Sequence, residues 1–108
     1  MIARLTVLIL LVASLSPVPT LAQDQYAVRR GLAVSEQRCA TCHAVHAGES
    51  TSPNPAAASF GRVAATPGVT ELALQAMLQT SHRRMPNLII GVDDMRDVIA
   101  YILSLRGR

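Results

Sequence analysis

Cys39-Ala40-Thr41-Cys42-His43 is the stretch that decides how the rest of the chain is read. The pattern C-x-x-C-H is the attachment sequence of a c-type haem. Each residue type has a physical task in it. Two thiols one helical turn apart reach the two vinyl groups of a porphyrin and close thioether bonds. The next residue, an imidazole, is thereby carried beneath the iron as an axial ligand. Other uses of these side chains fit less well. A thioredoxin-like pair wants a preceding strand and βαβ surroundings, and no alternating strand pattern of useful length occurs. A zinc site built from Cys39, Cys42, His46 and His82 has ordinary ligand types but leaves His43 without a task. A Cys39–Cys42 disulfide closes a loop too short to stabilise much.

Toward the amino terminus, Arg4 supplies one positive charge, and Leu5 to Leu15 is an apolar run broken only by Thr6 and Ser14. Ser16, Pro17 and Pro19 end the run, and Thr20-Leu21-Ala22 offers small residues for cleavage before Gln23. That order is the order of a secretory signal peptide, and the run is shorter than the roughly 20 residues of a spanning helix. Residues 1–22 are therefore expected to be a leader and 23–108 the working domain, exported to the periplasm, an oxidising compartment. The rival is an uncleaved leader kept as an anchor, which is also the one expected route to a membrane.

Setting the leader aside changes the composition. Fifteen of the 22 leader residues are apolar, leaving 39 among the other 86, and 13 of those 39 are alanine. Only 26 positions then carry a larger apolar side chain. A body this short excludes a multidomain enzyme and buries a modest share of its surface. Small scaffolds need added core material, so the domain is expected to be poorly folded without its haem. Nine arginines against seven acids leave the exported part at +2. With no long basic run, nucleic acid is not an expected partner.

The remainder reads as all-α, with three to five helices. Residues 25–44 lack proline and are expected to be helical despite Gly31, a glycine that is tolerable where a second helix crosses closely. Residues 46–59 have loop chemistry. Phe60 to Ala65 is expected to form a short helix ended by Thr66-Pro67-Gly68. Thr70 is a good N-cap for Glu71 to Gln79, whose Leu72, Leu74, Ala76, Met77 and Leu78 supply apolar surface. Met95, Val98, Ile99, Ile102 and Leu105 recur at helical spacing in a last helix. Asp93 and Asp94 suit the positive end of that helix, and Arg106 and Arg108 its other end.

With these features in place, residues 25–108 resemble a class I cytochrome c of the small bacterial monohaem kind. The resemblance rests on the haem motif, on Gly31 eight residues before the first cysteine, on Met85-Pro86, and on a closing Asp97-Val-Ile-Ala-Tyr101-Ile-Leu-Ser-Leu105. It implies helices wrapped around one covalently attached haem c, with the first and last crossing at Gly31 and Tyr101 packed beside it. Members of the family often place an aromatic where Ser35 stands here.

The resemblance also implies ligands. Met85, in a loop and followed by Pro86, matches the family's axial methionine, so His43 and Met85 are the expected iron ligands; His82 and an open sixth position are the alternatives. Met77 and Met95 lie in apolar helical faces, where methionine ordinarily fills core, and His46 belongs to the His43 side. A carbonyl that holds the other nitrogen of His43 is expected from Pro53, with Pro55 as the alternative. Arg62, in Phe60-Gly61-Arg62, matches an arginine that reaches a haem propionate, a pairing suited to guanidinium.

The function implied is that of an exported one-electron carrier between larger redox proteins, not of an enzyme. Arg83 and Arg84, beside Met85, are expected near the haem crevice, where they would steer an acidic partner. Two alternatives stand beside this. One is an electron-transfer subunit of a dehydrogenase. The other is a gas-binding or sensor cytochrome with a labile sixth ligand.

Overall fold

The computed structural model describes residues 20–80, 85 and 88–108, with the side chains of the first helix described from Asp24 onward. Most of the expected leader lies outside the described residues, as do His82, Arg83, Arg84, Pro86 and Asn87. Among the described residues four helices carry the fold: α1 (Thr20–Arg38), α2 (Phe60–Ala65), α3 (Glu71–Gln79) and α4 (Val92–Ser104). Helix α1 starts on the amino-terminal side of the boundary expected after Ala22. Among the described residues no helix is long and apolar enough to cross a membrane.

The first and last helices cross as expected, and the reason is Gly31. A Cβ at that position would stand 1.9 Å from the Asp97 carbonyl oxygen and 2.7 Å from Tyr101 Cβ. Only a residue without a side chain lets the two backbones approach so closely. Arg30 ties the crossing from outside, with Nη2 3.0 Å from Asp94 and Nε 2.9 Å from Asp97. Ser35 is fully buried, and its hydroxyl donates to the Gly31 carbonyl across 2.7 Å. A self-satisfied serine thus occupies the position where an aromatic was absent.

Helix α4 supplies most of the core. Met95, Val98, Ile99, Tyr101 and Ile102 are buried on it, and Leu105 continues the same face just beyond its end. Asp93 and Asp94 lie in its first turn, as expected. Phe60 and Ala64 of α2 and Leu74 of α3 join that core. Serine and threonine caps start both short helices: Ser59 Oγ accepts from the Arg62 N–H, and Thr70 Oγ from the Ala73 N–H. The turn between them needs Gly68, whose φ of +79° is open to glycine. Arg106 then locks this turn to the carboxyl end, donating from Nε to the Ala64 carbonyl and from Nη2 to the Val69 carbonyl.

Two expectations are corrected. Helix α1 ends at Arg38 rather than running to about Ala44. Both the Cys39 and Ala40 N–H groups converge on the Ser35 carbonyl, which breaks the regular ladder. The apolar side of α3 is also less buried than its composition suggests. Leu72 is 75% exposed and Met77 43%, so neither is core.

Candidate functional site

Where α1 ends, the chain turns tightly. The His43 N–H donates to the Cys39 carbonyl across 2.9 Å and the Cys42 N–H to the same carbonyl across 3.1 Å. The motif is therefore a single wound turn, which keeps both thiols and the imidazole close together. Cys39, Cys42 and His43 all line one cavity of about 410 Å³, within the size range of small-molecule and cofactor sites, about 300–1,000 Å³. Its walls are largely apolar: Phe60 and Val63 from α2, Leu74 and Leu78 from α3, Val98 and Ile102 from α4. Met85 lines the same cavity.

The imidazole is set up as a ligand by its hydrogen bond. His43 Nδ1 lies 2.7 Å from the Ala58 carbonyl oxygen. A carbonyl only accepts, so Nδ1 is the donor, and Nε2 is the nitrogen left to meet a metal. The Phe60 ring packs against the imidazole at 5.6 Å between centroids. Both cysteines are free thiols. Burial pushes the Cys39 thiol up, against the opposing pull of Arg38.

An apolar cavity with two thiols at its edge and one oriented imidazole fits a flat, largely apolar, covalently tethered porphyrin. Among the described residues no group of three or more His, Cys, Asp or Glu could hold a metal ion. His46 is engaged elsewhere, with Nε2 2.8 Å from Glu36 and Nδ1 3.2 Å from Glu49. These two carboxylates, Glu36 foremost, raise its pKa above the ordinary histidine value.

Pro53, its alternative Pro55 and Arg62 all lie off the cavity wall. The carbonyl that holds His43 is Ala58's, not that of Pro53 or Pro55. The 52–54 stretch docks on the motif's backbone instead: Ser52 Oγ accepts from the Ala44 N–H, and the Asn54 N–H donates to the Cys42 carbonyl. Pro53 lines a separate, solvent-open groove of about 420 Å³ with His46 and Glu49. Arg62 is exposed and off the cavity wall. Phe60, Val63 and Ala64 take the inner face of α2, and the helical period turns residue 62 outward. Among the described residues the arginine that lines the cavity is Arg38. Met77 lines it too, whereas Met95 is buried in the protein core away from it.

A family model described as cytochrome c matches residues 28–106. Comparisons with curated proteins and with solved structures each found no match.

Proposed function

The chain belongs to the cytochrome c family, and on that footing we propose that it is an exported, periplasmic one-electron carrier whose haem iron is held by His43 and Met85. Family membership brings a covalently bound haem c and haem-based electron transfer. The observation that supports the finer reading is the single cavity shared by Cys39, Cys42, His43 and Met85, with His43 already oriented by Ala58.

When bound, the haem supplies exchange of one electron between Fe(III) and Fe(II). The chain's own residues do the rest. Cys39 and Cys42 tether the group, His43 presents Nε2 to the metal, and the apolar walls from α2, α3 and α4 exclude water. A thioether sulfur from Met85 favours the reduced metal and raises the potential. With His43 and Met85 both holding the iron, no ligand position would remain for substrate, which suits a carrier. Arg83 and Arg84, next to Met85 in sequence, give larger acidic redox partners a basic approach, an effect on association rate and its salt dependence.

The test is the absorption spectrum of the purified holoprotein, oxidised and reduced, repeated on Met85→Ala. The wild type should be low-spin in both states and show the methionine–iron band when oxidised, and Met85→Ala should lose that band. A variant that keeps the band overturns Met85 as ligand. Loss of the band in Met77→Ala would then pass the role to the other methionine on the cavity wall. A wild type that is high-spin and binds carbon monoxide readily would favour the sensor reading over the carrier.

A further inference from the structure

Tyr101 works at both ends of its side chain. Its Cβ packs at the Gly31 crossing, 2.7 Å from where a side chain on that glycine would begin. Its hydroxyl donates to the Val45 carbonyl across 2.6 Å. Val45 is 1% exposed and stands two residues beyond His43. Phe60 fills the space between the two rings, its centroid 6.5 Å from Tyr101 and 5.6 Å from His43.

The backbone around Val45 reaches the carbonyl that orients the ligand. The Phe60 N–H donates to the Ala44 carbonyl across 2.9 Å, and Ala58, two residues before Phe60, accepts from His43 Nδ1. Whatever fixes residues 44 and 45 therefore fixes the stretch that presents the Ala58 carbonyl. The hydrogen bond from α4 to this segment is the one from Tyr101. We propose that Tyr101 is a positioning residue for His43: braced against α1 at Gly31, its hydroxyl pins the Val45 carbonyl and so holds the Ala58 carbonyl on His43 Nδ1. The inference rests on His43 being the iron ligand. Burial pushes the Tyr101 phenol up, and the charge of Glu36 acts in the same direction, so the hydroxyl keeps its proton at neutral pH and stays a donor. A buried carbonyl deprived of its donor is costly, and the segment relieves that cost by opening to water.

The experiment follows the His43 Nδ1–H by NMR in the oxidised full-length holoprotein, where proximity to iron shifts its signal away from all others. Tyr101→Phe keeps the ring and removes the hydroxyl. Exchange of the His43 Nδ1–H with solvent should then accelerate by about tenfold through local opening. Ile99→Val, a shortened side chain on the same buried helix, lowers global stability without touching the pin and should leave that exchange unchanged. Unaltered exchange in Tyr101→Phe, or equal acceleration in Ile99→Val, overturns the proposal. Should Tyr101→Phe fail to fold, wild-type protein labelled with 3-fluorotyrosine keeps ring and hydroxyl but donates more strongly. Slower exchange in the labelled protein supports the pin, and unchanged exchange overturns it. A wild type without iron-shifted His43 ring signals brings down the ligand assignment as well; shifted signals with unchanged exchange bring down the positioning role alone.

Discussion

Helices α3 and α4 are both amphipathic, yet they settle their apolar faces in different ways. On α4 the residues at helical spacing are all buried, with Met95 5% and Ile99 4% exposed and away from the cavity that Val98 and Ile102 help to line. On α3 only Leu74 is buried, while Met77 and Leu78 stand at the cavity. The α1–α4 crossing packs chain on chain, whereas Met77 and Leu78 of α3 face the cavity that would take the cofactor, with Val98 and Ile102 of α4 forming the wall on the other side. Apolar area yields stability only once it leaves water, so the two halves draw on different sources of burial.

Withdrawing the haem should break that comparison most severely. A Cys39→Ala/Cys42→Ala variant made without haem is expected to lose the cooperative thermal transition of the holoprotein, with α3 amides exchanging freely and residual helix confined to α1 and α4. Circular dichroism and hydrogen exchange report both, and a cooperatively folded, haem-free protein with protected α3 would sink the idea. The next effect strikes the opposite half. In Gly31→Ala the new methyl meets backbone of Asp97, which cannot swing aside as a side chain can, so α1 and α4 must separate. The expected loss is at least about 3 kcal/mol, the upper part of the range for overpacked cores. A loss below about 1 kcal/mol by denaturant unfolding would mean that the crossing is looser than the geometry shows.

The smallest effect sharpens the account of how α1 is joined to the loop after the haem motif. His46, half-exposed, sits between Glu36 at the end of α1 and Glu49 in the loop. Its pKa is raised in the folded state, first by Glu36 and then by Glu49. The stabilisation is therefore fully present below the unfolded value of about 6.5 and is lost as pH rises through the higher folded value. Wild type should exceed His46→Gln in thermal midpoint at mildly acid pH, with the gap closing on the alkaline side and shrinking in high salt. A gap that widened with pH would reverse the assignment.

Much of this was legible from side-chain pattern. The spacing of Met95, Val98, Ile99, Ile102 and Leu105 marked the buried face of α4 and Thr70 the start of α3, while the family resemblance placed the crossing at Gly31 and Tyr101. The failures share a cause. The partner of His43 is a backbone carbonyl, a group every residue carries, so nothing in the letters singles out Ala58 over Pro53. The end of α1 lacks Gly or Pro; two N–H groups crowd onto the Ser35 carbonyl, which only coordinates reveal. The outward turn of Arg62 follows from the helical period, which its motif match does not reveal. Met77 was taken for core because an apolar face reads alike whether it meets protein or a cofactor.

The α1–α4 crossing also decides where the cavity can be completed. Arg30 and Asp94, which meet across it, are 64 residues apart in sequence. The turn at Cys39, Cys42 and His43 follows directly on α1, while its Val98 and Ile102 wall comes from α4. The crossing that Gly31 permits thus brings together the part of the chain that would tether the haem and the part that would enclose it, so one glycine governs the shape of the pocket from outside its walls.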